Sequence, residues 1–309
     1  MKIFPTIKEL QAHKTYYTLA VVLLIATLSK LSLAGVGLFA IHDEFRYQRA
    51  GELLQDASVH DYKSAVHRLF EAKGRPGEVL LKTVAIGLQT ASAKLFGKST
   101  YQSANAGSLF LFNFLIYLGV LYYLYRIAML LLDHKEASLF AVLIYSTLTN
   151  SHLYLRHALP YDTSLWLLLA VLYQVLRLTA SDAPNRPWTL FLNGALAFLS
   201  YLVYPGYVLL FLVVAFMLVF HKFELNRVKE RAVKVLYFVA GSVACLAFFE
   251  ALSRFAGTSY IERALYLSTT IKEGSFEESC RFLFTYLYVG EGITGSFLLL
   301  GFLATTVLV

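Results

Sequence analysis

A chain of 309 residues of which 58% are hydrophobic and only 15% charged has too few charges to solvate the surface of a water-soluble domain of that size, so the composition argues for a membrane protein. Its net charge of +7 is read as an orientation signal, because Lys and Arg collect in the loops on one side of a membrane. Membrane lipids are therefore expected partners and nucleic acid is not. Two cysteines, Cys245 and Cys280, make neither a CxxC metal pair nor a disulfide framework.

The apolar residues fall into long runs, matching helices that cross a hydrocarbon core of about 30 Å, and β-barrel alternation is absent. An all-α bundle in a single domain over 1–309 is the predicted fold, with eight spans near 16–40, 107–131, 137–149, 164–178, 188–202, 206–220, 235–252 and 293–309. The first run follows Lys2, Lys8 and Lys14 and outlasts a signal-peptide core of about 7–15 residues, so it reads as an uncleaved span with a cytoplasmic N-terminus. Lys30 lies inside it, where a charge costs about 2.5–3.5 kcal/mol on insertion scales. It either faces the bundle interior or snorkels.

The basic segments at 126–135, 177–186 and 222–234 then fall in the cytoplasm, and the short outer loops hold only Arg156, Arg254, Arg263, Lys272 and Arg281. The predicted location is the inner, plasma membrane, multi-pass, with the active site on the outer face. The first outer segment, 42–106, is the only large soluble region and opens on His42-Asp43-Glu44. A helix is expected at 45–54. A second, at 78–96, is read as lying in the interface with Leu81, Val84, Leu88, Ala91 and Leu95 on its buried face.

Asp43 and Glu44 are candidate catalytic residues, as general base or metal ligand at the lipid boundary. The plainer alternative is an acidic first turn favoured by the helix dipole, with Arg46 and Arg49 as its solvated continuation. His67 and Glu71 share a helix face at i, i+4, and His60 lies nearby, but a zinc site usually needs three or four ligands. The short loop 150–163, NSHLYLRHALPYDT, presents Arg156 and His157, which suit a phosphate. Asp162 is either part of that site or, with Thr163 and Ser164, an ordinary helix start. A second outer segment runs over 253–290. The last apolar run ends at Val309 without a charged flank, so a C-terminally truncated chain is expected. The many Tyr and Phe read first as lipid-facing and interfacial belts.

In order along the chain stand HDEFRYQRAGELL, RPGEVLLKTVAIGLQTASAKLFGKS and RHALPYDTSLWLLLAVLYQVLRL. This layout resembles the GT-C type of membrane glycosyltransferases, particularly the group of protein O-mannosyltransferases and lipid A aminoarabinose transferases. Asp43-Glu44, Arg75-Pro76 with Leu95-Phe96-Gly97, and Asp162 occupy that group's motif places. Arg75-Pro76-Gly77 departs from the His-Pro-Pro or Lys-Pro-Pro run of many relatives.

The resemblance implies inverting transfer of a sugar from a polyprenyl-phosphate donor to a lipid, glycan or protein acceptor outside the cytoplasm. Asp43 would be the general base, Glu44 would orient it or hold a metal, and Arg46, Arg156, His157 and Asp162 would bind substrate. No cofactor is required by the sequence, and a divalent metal is compatible with it. The competing expectations are a transporter or lipid flippase, which calls for charges deep in spans and broken helices, and an assembly subunit without chemistry.

Overall fold

The computed structural model describes residues 7–33, 45–71, 75–95, 106–180, 187–220 and 228–270, and beyond them 281, 285, 289, 291–292, 294–298 and 300. The described residues form helices joined by short turns, without a strand. They are α1 (Ile7–Ser29, continued by a 3-10 turn, Lys30–Leu33), α2 (Phe45–Ser58), α3 (Tyr62–Glu71), α4 (Pro76–Leu95), α5 (Ala106–Leu132) and α6 (Lys135–Thr147). There follow α7 (Thr149–Arg156), α8 (Tyr161–Ala180), α9 (Pro187–Val203), α10 (Val208–Phe220), α11 (Val228–Phe255) and α12 (Tyr260–Thr270).

Three stretches are long and apolar enough to cross a membrane: Lys14–Leu33, Ser108–Leu132 and Val228–Phe255. A fourth exists if Thr149–Arg156 and Tyr161–Thr179, bent by 113° at their junction, count as one broken span. Their outward side chains are those of a lipid-facing protein. Ile25, Leu209 and Leu236 are 60–73% exposed, a pattern that a water-soluble monomer avoids.

The expectation of eight spans is thereby reduced to three or four that qualify on length and composition. Helices α6, α9 and α10 hold 13, 17 and 13 residues. At 1.5 Å per residue the 13-residue ones reach only about 20 Å, short of a hydrocarbon core of roughly 30 Å. Most of 293–309 lies outside the described residues.

The bundle is tightest where α9 meets α11. A methyl group on Gly194 would collide with the carbonyl oxygen of Phe238, and one on Gly241 with that of Phe191. Such close backbone approach is what small residues at helix interfaces permit. Ser242 Oγ donates to the Gly194 carbonyl at 3.0 Å across the same seam. Around it Leu190, Ala197, Val214, Leu218 and Phe238 pack with Leu168, Val171 and Val175 of α8.

Helix α4 turns its polar residues toward the protein and its apolar stripe outward. Glu78, Val79, Lys82, Ala85, Ile86 and Gln89 are buried, whereas Leu80, Val84 and Leu88 are 38–51% exposed. The apolar stripe thus points away from the bundle, where lipid is an acceptable solvent, and the polar residues turn inward to protein partners. Gly77 lets the start of α4 approach the backbone of Leu202 and Val203 at the end of α9, where a Cβ would come within 2.9 Å. Outside the bundle, α2 and α3 are stapled by Arg68 to Asp56 at 3.1 Å and Arg49 to Glu71 at 3.1 Å. Helix α12 follows α11, and Arg263 Nη1 donates to the Phe70 carbonyl at the end of α3 at 2.6 Å.

Candidate functional site

Residues 150–163, expected as a loop, are mostly helical: α7 occupies Thr149–Arg156 and α8 begins at Tyr161. The reason lies far away in sequence. The carboxylate of Glu291 accepts from Thr149 N at 2.7 Å and from Asn150 N at 3.4 Å, satisfying amides that open a helix and would otherwise lack partners. At the other end, Asn113 Nδ2 on α5 donates to the carbonyls of Tyr154, Leu155 and His157 at 3.2, 3.3 and 2.9 Å. A helix of 8 residues is marginal by itself. Two side chains from other elements hold this one in place.

The bend between α7 and α8 opens a cavity of about 400 Å³. Its wall includes Tyr145, Asn150, Ser151, Tyr154, Tyr161, Asp162, Tyr204 and Tyr207. The rings of Tyr154 and Tyr161 lie 4.6 Å apart, those of Tyr161 and Tyr204 meet edge-on at 4.6 Å, and Tyr204 meets Tyr207 at 5.2 Å. Among the described residues, Asp162 is the one carboxylate in that wall. It sits in the first turn of α8 and is only 6% exposed. Its Oδ1 accepts from the Tyr145 hydroxyl at 2.6 Å, so it is held by a neighbouring helix.

Two buried lysines face Asp162 electrostatically. Lys30 turns into the bundle, settling the choice between interior and snorkelling: it is 1% exposed, donates to Ser151 Oγ at 2.9 Å, and stacks over Tyr117 at 5.1 Å. Lys82 of α4 is equally buried, donates to the Leu159 carbonyl at 3.2 Å, and stacks over Phe112 at 5.7 Å. The attraction between a carboxylate and two ammonium groups is stronger in low dielectric than in water, and so is the cost of burying each of them. Neither lysine was singled out as a site residue from sequence. The available signal was a cation inside an otherwise apolar helix, in each case.

Helices α2 and α4 reach the cavity by a different route. Arg46, in the first turn of α2, has Nε 3.8 Å from Glu78 Oε2, and Arg75 has Nη1 3.9 Å from the same oxygen. The Arg75 guanidinium in turn lies 5.1 Å from the ring of Tyr204 in the cavity wall. Asp43 and Glu44, the predicted catalytic pair, lie outside the described residues. The cation two positions beyond Glu44 is connected to the cavity wall through Glu78 and Arg75.

The remaining predicted residues are dispersed. Arg156, at the end of α7, does not line the cavity, and its Nε has no hydrogen-bond partner among the described residues. His157 is buried at 3% and is tied through its carbonyl to Asn113. His67 Nε2 meets Glu71 Oε1 at 3.4 Å, and Glu71 also receives Arg49 and Arg68. Among the described residues no group of three His, Cys, Asp or Glu could hold a metal ion.

No family model, no curated protein and no solved structure matches this chain. The geometry supplies what can be said about function.

Proposed function

We propose that this protein is a membrane-embedded transferase that moves a sugar from a polyprenyl-phosphate donor to an acceptor at the face that bears the cavity. The observation that carries the reading is the cavity at the α7–α8 bend, which joins one carboxylate, two buried ammonium groups and a ladder of tyrosine rings. Aromatic faces suit the apolar faces of a sugar ring, and convergent hydroxyls and a carboxylate suit its hydroxyls. The fixed cations suit a phosphate whose negative charge grows as it leaves. A donor confined to the bilayer accounts for building such chemistry into a membrane protein.

In the proposed step Asp43 removes the acceptor hydroxyl proton, the acceptor oxygen bonds to the anomeric carbon with inversion, and the bond from that carbon to the phosphate oxygen breaks. The lipid phosphate keeps the electron pair. Lys30 and Lys82 act on Asp162 of the wall, Arg75 lies against Tyr204 of the wall and shares Glu78 with Arg46, and these four are the cations proposed to receive the phosphate. Asp162 orients the sugar through its hydroxyls. The proposed acceptor class remains a lipid, glycan or protein hydroxyl.

The test is the purified protein in lipid nanodiscs with a polyprenyl-phosphate sugar donor and acceptor-bearing envelope extract, following release of free polyprenyl phosphate. Wild type is expected to release it, and Asp43→Asn and Asp162→Asn to fail while keeping the wild-type elution profile on gel filtration. Full turnover by Asp43→Asn would remove the general base from this account.

A transporter is the second reading, and two observations favour it: the break of 113° between α7 and α8, and the buried Lys30 of the first span. Broken helices around a charged site are how transporters hold solutes. Solute uptake into proteoliposomes by wild type, without any sugar transfer, would establish that reading instead.

A further inference from the structure

Tyr204 is the cavity-wall residue that Arg75 touches, and the chain around it explains why its ring stands where it does. Pro205 follows it. The residue before a proline is driven toward extended backbone, and Tyr204 has φ −148° and ψ 103°, so α9 stops short of it and the chain turns through Pro205–Tyr207 into α10. Its backbone is fixed on both sides: Tyr204 N donates to the Ser200 carbonyl at 2.9 Å, and the Tyr204 carbonyl accepts from Tyr207 N at 3.3 Å.

Gly206 then decides where the ring lies. A methyl group on Gly206 would collide with Cε1, Cζ and the hydroxyl oxygen of Tyr204. The glycine does not have a positive φ, so the chain itself would accept alanine there. Only the folded-back ring excludes it.

The contact with Arg75 is set by a second glycine. Gly77 lets the start of α4 come against the backbone of Leu202 and Val203, the two residues before Tyr204, and this carries Arg75 to within 5.1 Å of the ring centre. Two segments of the same pattern, Arg75-Pro76-Gly77 and Tyr204-Pro205-Gly206, thus meet through their first residues. Tyr161 and Tyr207 hold the ring edge-on at 4.6 and 5.2 Å. Tyr204 lines the cavity and Arg75 stands outside its lining. The ring therefore lies between a compartment suited to a sugar and a cation suited to its phosphate.

We propose that Tyr204 is a positioning residue for the transfer: its ring, seated on Gly206, bounds the space for the sugar and aims the Arg75 guanidinium at the phosphate end of the donor. This rests on the reading of the cavity as a sugar-transfer site. Gly206 acts only through the ring. Arg75 keeps its contact with Glu78 throughout, since a guanidinium carries five donors in one fork.

The test uses the full chain in lipid nanodiscs with the polyprenyl-phosphate sugar donor and acceptor-bearing envelope extract, following release of polyprenyl phosphate over a range of donor concentrations. Misplacement by about 1 Å costs a transfer site about a hundredfold in rate. Gly206→Ala, which pushes the ring off its seat, is expected to lower kcat by about that factor while KM for the donor changes less than about threefold. Tyr204→Ala should lose as much, and Tyr204→Phe, which keeps the ring, should stay within about twofold of wild type. The deciding variant is Tyr204→Ala/Gly206→Ala. With no ring to displace, the added methyl group should cost nothing beyond Tyr204→Ala alone.

Wild-type kcat in Gly206→Ala would overturn the proposal, as would multiplied losses in the double variant, or a Tyr204→Phe as poor as Tyr204→Ala. A lowered thermal midpoint in Gly206→Ala that persists in the double variant would make the glycine a structural residue of the turn and overturn it too. Absence of turnover in wild type is a separate failure, which removes the transfer reading and the positioning role with it. Turnover in wild type together with any of the other results removes the positioning role alone.

Discussion

The α9–α11 seam and the α7–α8 bend are built on opposite principles. At the seam, glycine and small side chains bring two backbones together, and cohesion comes from close packing that needs no polar partner outside the two helices. At the bend, a short helix has polar partners at both ends, and the cavity beside it is lined with groups costly to bury alone. The first region would be expected to tolerate almost no added volume and to be indifferent to charge. The second would be expected to tolerate volume at its open side and to respond sharply to charge. Stability is concentrated in the one and reactivity in the other, as for binding sites carried on a rigid scaffold.

That contrast can be broken in several ways. The largest effect belongs to the seam: Gly194→Val or Gly241→Val drives a side chain into a facing carbonyl oxygen, and folded protein should vanish from the detergent-soluble membrane fraction. Preserved yield and gel-filtration profile would mean that the two backbones are further apart than described.

Next comes the bend. Lys30→Met leaves Asp162 without one of its two facing cations and should cost about 3 kcal/mol, the usual scale for breaking a buried pair. The double variant Lys30→Met/Asp162→Leu should recover most of that stability and none of the proposed activity. Additive losses in the double variant, read from thermal midpoints, would show that the two groups do not interact.

Smaller again, Glu291→Ala should cost roughly 1 kcal/mol by removing the acceptor of two half-buried amides that open α7. Hydrogen exchange should rise at Thr149 and Asn150 before it rises in α8. Uniform exchange across both helices would remove Glu291 as the cap of α7.

The smallest effect lies outside the bundle at Asp61, whose carboxyl is held below the usual carboxylate range by the Ser64 hydroxyl and then the Ser64 amide. A lowered folded-state value means that this contribution is present at neutral pH and is lost as pH falls through it. Asp61→Ala should loosen only the first turn of α3, seen as faster exchange at the Ser64 amide at neutral pH. A change in the exchange of α7 would contradict the separation of the two regions.

Much of the scaffold was legible in the sequence because membrane helices announce themselves through composition. The core of α5, the start of α2 and the extent of α4 all fall close to their expected positions. The number of spans is less legible, since an apolar run of 13 residues and one of 20 give similar local signals, and among the described residues three or four stretches qualify by length and composition. Asp162 was found because a carboxylate at the end of an apolar run is conspicuous. Its partners were not, because Tyr145, Lys30 and Lys82 are brought to it from α6, the turn after α1, and α4, and no spacing rule connects them. The apolar stripe of α4 was legible, but not that its opposite face, with Glu78, Lys82 and Gln89, packs into the protein.

The cap on α7 also sets an order of assembly. Thr149 and Asn150 emerge from a ribosome 142 and 141 residues before the carboxylate that satisfies them. At ordinary rates of synthesis that is a wait of roughly ten to thirty seconds. The last described wall residue, Tyr207, is made 84 residues before Glu291, so the walls are complete while the shortest helix still lacks its N-terminal cap, and the cavity should reach its final form late in biogenesis, after most of the surrounding bundle has been inserted.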